Sequence, residues 1–280
     1  MHKHILIPLV LLVLATRGSA GDANPATGSS ASKAAQDNAA LIALAAIGNA
    51  GNAGDAAHVS VVSTNKPAWE SSISAGLSLT KGNSDTLLTT VAYKTRKKTT
   101  ENEFTFGADG SYGENNSVKN NETLHGVGQF NHLFSDRIYG YLNAEGLHDG
   151  IADLQYRFTF SPGAGYYFLK ETNTTLAGEA GPGLILQRLG GADTTYATLR
   201  LAERFEHKLD NGARVWEKAE FLPQVDKLGN FLVNAEVGAE AALTKTLSLR
   251  VTLQDNYINQ PAPGRKDNDV KLISGLVYKF

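Results

Sequence analysis

From Trp69 to Phe280 apolar and polar residues alternate with a period of two, and few architectures accept that pattern over such a length. Trp69, Ser71, Ile73, Ala75, Leu77 and Leu79 interleave with Glu70, Ser72, Ser74, Gly76, Ser78 and Thr80. Successive side chains of a strand point to opposite sides, so this run predicts a strand with one apolar and one polar face. After Lys81-Gly82-Asn83-Ser84-Asp85 the alternation resumes through Leu87, Thr89, Val91 and Tyr93. Two such runs joined by a Gly-Asn turn predict a hairpin. The same grammar places strands near 69–80, 86–96, 103–113, 122–134, 137–147, 154–168, 175–188, 195–207, 214–226, 230–243, 246–258 and 268–280. Turn residues such as Ser135-Asp136, Gly190-Gly191, Asp210-Asn211-Gly212 and Gly229-Asn230 separate them.

Strand length then separates two all-β architectures. Soluble sandwiches use strands of about 5–6 residues, whereas about 9–11 tilted residues cross a bilayer; the strands here are of the longer kind. Their polar faces carry Glu103, Asp109, His125, Gln129, Asn131, Glu145, Arg157, Glu179, Arg200, Arg204, Lys218, Glu220, Asn234, Glu236, Glu240 and Arg250. That recurrence suits a wet lumen, and faces such as Phe231, Val233, Ala235, Val237, Ala239, Ala241 and Leu243 suit lipid contact. An open sheet in lipid exposes backbone groups at several kcal/mol each, so closure is expected. The predicted fold is an all-β, closed, antiparallel transmembrane β-barrel of about twelve strands with up-and-down topology.

An even strand count with a periplasmic N-terminus puts the starts of odd strands and the ends of even strands at one interface. Trp69, Tyr93, Phe104, Phe130, Phe134, Tyr139, Tyr141, Tyr166, Phe168, Phe205, Trp216, Tyr278 and Phe280 fall near those ends and are expected to form an aromatic girdle. Tyr112, Tyr156, Tyr196, Phe231 and Tyr257 are expected at the other rim. Leu272, Leu276, Tyr278 and Phe280 share the apolar face of the last strand. This looks like the C-terminal signature of bacterial outer-membrane barrels, which the assembly machinery reads. Glu203 is the awkward position: Leu199 and Leu201 facing lipid carry it outward too, unless a bulge resets the register.

Residues 1–20 have the order of a secretory signal peptide: a basic head at Lys3, an apolar run from Ile5 to Ala15, and small residues at Gly18 and Ala20. Cleavage is expected after Ala20, with export to the bacterial outer membrane. The apolar run falls well short of the ~20 residues a spanning helix needs. Residues 21–66 are rich in Ala, Gly, Asn and Ser and lack Phe, Tyr and Trp, which predicts a flexible periplasmic tail. Within it, residues 34–47 have the composition of a short helix, either transient or serving as a plug or partner-binding helix.

Several kinds of chemistry are excluded early. With Lys+Arg 26 and Asp+Glu 28 the net charge is −2, which offers no basic stripe for nucleic acid. With no cysteine there is no disulfide, thiolate metal site or thiol nucleophile.

The run from Trp69 to Thr86, with its Gly82-Asn83-Ser84-Asp85-Thr86 turn, resembles the start of the salt-induced outer-membrane protein family, a domain of unknown function. Tyr156-Arg157, Gly163-Ala164-Gly165-Tyr166, Ala180-Gly181-Pro182-Gly183, Leu199-Arg200 and the ending Gly275-Leu276-Val277-Tyr278-Lys279-Phe280 match in order. The resemblance spans about Trp69–Phe280 and implies an outer-membrane barrel. It brings no catalytic or ligand residues.

Outer-membrane phospholipases use a His and a Ser two apart on one strand. The only His-x-Ser here, His58-Val59-Ser60, lies in the tail, and His125, His132, His148 and His207 have Val127, Phe134, Gly150 and Leu209 at that spacing. A hydroxyl from a neighbouring strand is the remaining route to a lipid-active enzyme. No metal ligands or cofactor are assigned; Asp149 with Asp153, and Asp267 with Asp269, read as solvated loop acids. The expected outer loops, 114–120, 148–153, 189–194, 227–230 and 260–268, are short for a receptor surface. Strands seven to eleven contribute Glu179, Glu220, Glu236 and Glu240 against Arg200, Arg204, Lys218 and Arg250. A selective pore usually presents one sign. The balance points to ion pairs that brace the barrel or to a weakly selective conduit, with a lipid-active enzyme or a small-ligand-binding barrel as alternatives. The expected partners are outer-membrane lipids and the assembly machinery.

Overall fold

The structure is a computed structural model that describes residues 69–80, 86–210 and 212–280. The signal peptide, its cleavage site, the tail with its helix, and the turn 81–85 lie outside the described residues. Twelve strands follow in order: β1 (Trp69–Thr80), β2 (Thr86–Lys98), β3 (Asn102–Asn115), β4 (Val118–Leu133), β5 (Ile138–Asp149), β6 (Leu154–Lys170), β7 (Thr174–Leu189), β8 (Ala192–Lys208), β9 (Arg214–Pro223), β10 (Phe231–Ala242), β11 (Leu247–Ile258) and β12 (Asn268–Lys279). Each pairs antiparallel with its chain neighbours, and β1 pairs with β12 to close an up-and-down barrel. The closing seam is short, running from Ser72 opposite Lys279 to Ala75 opposite Leu276.

The strands differ from expectation where turn chemistry is tighter than the sequence pattern suggests. Asn116 and Ser117 both have positive φ, 49° and 61°, so β3 and β4 meet in a two-residue turn and β4 begins at Val118. Gly190 and Gly191, with φ 58° and 77°, do the same between β7 and β8. Both regions had been expected to be longer loops. At β9 the strand stops early, at Pro223, which has no N–H to give to the ladder.

The outer surface is apolar. Ile73, Val91, Leu124, Leu142, Phe158, Phe160, Leu184, Leu199, Val237, Leu253 and Leu276 are all exposed there. At the end where β1 starts, Trp69 packs edge-on to Phe104 with centroids 5.6 Å apart, and Tyr166 packs on Phe168 at 5.2 Å. At the opposite end Phe231 lies between Phe221 and Tyr257, at 5.5 and 5.7 Å. Leu272, Leu276, Tyr278 and Phe280 share the outer side of the last strand and its end, where Tyr278 and Phe280 stack at 6.2 Å.

Four expected girdle or rim aromatics point the other way. Tyr139, Tyr141 and Trp216 are buried inside the barrel, and Tyr196 packs inside against Ile185, Leu222 and Leu232. Their parity explains it: Tyr139 and Tyr141 alternate in step with Asn143 and Glu145, Trp216 with Lys218, and Tyr196 with Thr198 and Arg200. Glu203 does lie on the outer face, because β8 pairs with β7 and β9 without a register shift. The outward Glu217 of β9 stands diagonally beside it, since Glu203 pairs with Ala219 and Phe205 with Glu217.

A β-carbon in the left-handed region costs about 1–2 kcal/mol. Ser117→Gly is therefore expected to raise stability by about 1 kcal/mol, and Ser117→Val to lower it, in urea unfolding of the detergent-solubilised barrel.

Candidate functional site

The interior is organised around buried carboxylates. Glu179 on β7 accepts hydrogen bonds from Arg200 Nη1 of β8 at 2.8 Å, Gln129 Nε2 of β4 at 2.8 Å and the Tyr139 hydroxyl of β5 at 2.9 Å. Arg200 also donates through Nε to Glu220 of β9 at 2.5 Å and lies 5.1 Å over the Tyr141 ring. Asn234 of β10 donates to the other Glu220 oxygen at 3.0 Å. An ionised carboxylate out of water is tolerated only when charged or polar donors surround it, and Glu179 takes them from three strands.

Glu240 on β10 is a second centre. It pairs with Arg214 at 2.9 Å, Arg250 at 2.8 Å and Lys279 at 2.6 Å, so one carboxylate ties β9, β11 and β12 to β10. Glu236, four residues earlier on the same face of β10, takes Lys218 at 2.7 Å, the Trp216 indole N–H at 2.7 Å and Gln254 at 3.1 Å. Elsewhere Arg96 pairs with Glu103 at 2.7 Å, and His125 bridges Asp109 and Glu145 at 2.9 and 3.0 Å. Near the opposite end Lys271 of β12 stands 4.0 Å from Asp149 of β5.

The ten charged residues singled out from the sequence all point inward, but not into one group. Glu179, Arg200, Arg204 and Glu220 meet in the first network, with Arg204 Nη2 at 3.7 Å from Glu179. Lys218 joins Glu236, and Arg250 joins Glu240. Glu145 belongs to the His125 bridge. Arg157 pairs with no carboxylate among the described residues; its Nε donates to Gln187 at 2.8 Å.

Lys94, Arg96, Arg214 and Lys279, and the inward rings of Tyr139, Tyr141, Tyr167 and Trp216, were missed. Parity was the available signal: Lys94 and Arg96 alternate with the outward Tyr93 and Thr95. Glycines on the inner wall make room for the rings. A Cβ at Gly165 overlaps the Tyr139 ring, and one at Gly238 overlaps Trp216.

These rings fill the lumen from one side. Tyr139, Tyr141, Tyr167, Ile185, Arg200 and Trp216 are buried along β5 to β9. The facing wall, from β12 through β3, presents Gly275, Ser72, Ser74, Gly76, Thr90, Ala92, Thr105 and Gly107 between the longer Lys94, Arg96, Glu103, Lys271 and Lys279. Two cavities among the described residues lie on that side. One of about 220 Å³ is lined by Leu87, Leu88, Thr90, Ser111, Lys271 and Ile273 among others, and one of about 30 Å³ by residues including Ser74, Gly76, Thr90, Arg250 and Gly275.

The histidines show little of a nucleophile's surroundings. His207 Nδ1 lies 2.9 Å from Thr174 Oγ1 across the β7–β8 pair, on the outer face. No carboxylate engages its second nitrogen among the described residues. Both His125 nitrogens are occupied by acids, His132 meets Asn102 and His148 meets the Gln155 carbonyl. Among the described residues no group of His, Asp and Glu is arranged to hold a metal ion.

Residues 73–280 match the family model described as protein of unknown function, DUF481. The chain belongs to this DUF481 family. That description names neither an activity nor a response to salt. No curated protein matches the chain. Among solved structures it is similar to the KdgM porin, 8% identical with TM-score 0.43, covering 76% of this chain and 99% of that one. The NanC porin is 7% identical with TM-score 0.45, covering 75% and 98%. The COG4313 outer membrane channel from Pseudomonas putida F1 is 10% identical with TM-score 0.45, covering 81% and 100%. Likeness this distant says nothing about the solute or selectivity of the DUF481 barrel described here.

Removing one partner of a buried ion pair costs about 3–5 kcal/mol, because the other charge is left uncompensated. Glu179→Ala is expected to lose a stability of that order, and Glu179→Gln less. The urea midpoint of the purified barrel in detergent reads both.

Proposed function

We propose that this protein is a bacterial outer-membrane barrel that conducts small hydrophilic solutes through a narrow passage along one side of its lumen. The carrying observation is the asymmetry of the interior: aromatic rings and the Glu179 network fill the β5–β9 side, and small residues such as Ser74, Gly76, Thr90 and Ala92 stand on β1 and β2, beside which two cavities lie. The apolar outer face and its two aromatic rims support a place in a bilayer. In this reading the end bearing Trp69 is periplasmic, residues 1–20 direct export with cleavage after Ala20, and residues 21–66 form a periplasmic tail. The ion-pair networks hold the filled side rigid. That same feature favours a second reading, in which the barrel is a closed structural element of the envelope.

Planar-bilayer recording separates the two. Discrete conductance steps are expected for the purified protein, reduced by Ala92→Trp on the inner wall and unchanged by Val91→Trp on the outer wall. Silence of the unmodified protein supports the structural reading. The last strand is also read as the contact for the assembly machinery through Leu272, Leu276, Tyr278 and Phe280. Phe280→Ser is then expected to lower the amount of folded barrel in outer-membrane fractions, seen as loss of the heat-modifiable band on gels.

A further inference from the structure

Equal numbers of acids and bases do not make the lumen electrically neutral to a solute, because the two signs are not equally accessible. The carboxylates lie against the wall: the Glu103, Glu179 and Glu240 side chains are 3%, 2% and 2% exposed. Of their cationic partners, Arg200, Arg250 and Arg214 are 8%, 19% and 24% exposed, whereas Arg96, Arg204 and Lys279 reach the water at 35%, 34% and 42%. Lys218, paired with a Glu236 that is 22% exposed, is 46% exposed itself. Long basic side chains reach over short acidic ones, so a solute meets guanidinium and ammonium groups first.

These cations collect in one part of the barrel. Arg96 and Lys279 lie at or near the Trp69 end of their strands, and Arg204 and Lys218 each lie four residues in from the same end. Lys94 joins them from β2, also four residues in, and is exposed on the inner face without a hydrogen bond or ion pair among the described residues. The charged groups that act on it most strongly include Lys218, Arg214, Glu236 and Arg250. These stand on β9, β10 and β11, across the ring from β2. Three of those four neighbours are cations, and the one acid already serves Lys218, Trp216 and Gln254. Two further inward acids of the strands, Glu70 and Glu206, also lie at this end, and Glu101, Asp136, Glu171 and Asp210 stand in its turns. Glu206 accepts from Arg214 at 3.4 Å, and Glu70 sits at the first turn of the pleat beside Arg96. Both lie within two residues of a strand end, nearer the rim than Lys94.

Like charges held together in a confined aqueous space raise the local potential and draw in counter-ions. We infer that the Trp69 end of the lumen is a binding belt for small multivalent anions, carboxylates or phosphates, with Lys94 as its selectivity residue. The inference deepens the conduit reading above and names its solute class. Lys94 is the group free to pair with such an anion, whereas Arg200, Arg214 and Arg250 are committed to the carboxylates that hold the strands.

Two measurements keep the belt and the conduit distinguishable. In bilayers under a potassium chloride gradient, the reversal potential of the unmodified protein is expected on the chloride side of zero. Lys94→Glu and Lys218→Glu are expected to move it toward potassium. Independently, isothermal titration of the purified barrel with citrate is expected to show binding that weakens with added salt and is lost in Lys94→Gln. Heat-modifiable gel migration checks that each variant is folded. Conductance without chloride preference overturns the belt and leaves the conduit standing. Salt-sensitive citrate binding that depends on Lys94, in a protein that never conducts, supports the belt and overturns the conduit. Absence of both conduction and citrate binding overturns both, and a chloride preference indifferent to Lys94→Glu overturns the role given to Lys94.

Discussion

Closure of the ring by β1 and β12 is the constraint on which everything else rests. A strand in hydrocarbon must pair its N–H and C=O groups on both sides, at a cost of several kcal/mol for each one left unpaired. Eleven of the twelve junctions are made by strands adjacent in the chain, and the last is made by the short run of pairs from Ser72–Lys279 to Ala75–Leu276. Once the ring is closed, each strand has an inside and an outside, and the period of two becomes a sorting rule. Phenylalanines and many leucines go outward; Glu179, Glu236, Glu240, Arg200 and the rings of Tyr139, Tyr141, Tyr167 and Tyr196 go inward.

Inside, the carboxylates act as anchors. Glu179 draws donors from β4, β5 and β8, and Glu240 from β9, β11 and β12, while the inward rings of β5, β6 and β9 fill one side of the lumen. Glycines such as Gly165 and Gly238 belong to the same construction, because an inward ring needs a neighbour without a Cβ. The wall of β1 and β2 carries small residues such as Ser72, Ser74, Gly76 and Ala92, and space is left beside it. The interior is therefore asymmetric, filled by rings on one side and more open on the other.

Much of the fold was legible in the sequence because parity is a local property. Strand number, antiparallel order and closure follow from alternation and from the cost of a free edge, and Glu203 stayed outward because β8 keeps its register. The turns at Asn116-Ser117 and Gly190-Gly191 were tighter than expected because left-handed φ at consecutive residues lets the strands run almost to each other. Tyr139, Tyr141, Tyr196 and Trp216 were misplaced because nearness to a strand end was given more weight than parity. The accessible charge of the lumen was not legible at all: Lys218 and Glu236 count equally in a composition, and only three-dimensional packing puts the ammonium in front of the carboxylate.

The central claim is that one parity faces water and the other faces lipid, and the chain is suited to a direct test because it contains no cysteine. Single cysteines placed in turn at Val233, Asn234, Ala235, Glu236 and Val237 of β10, in protein reconstituted into liposomes, are challenged with a membrane-impermeant maleimide. The account predicts labelling at 234 and 236 and protection at 233, 235 and 237. Labelling of both parities alike, or protection of both, contradicts it.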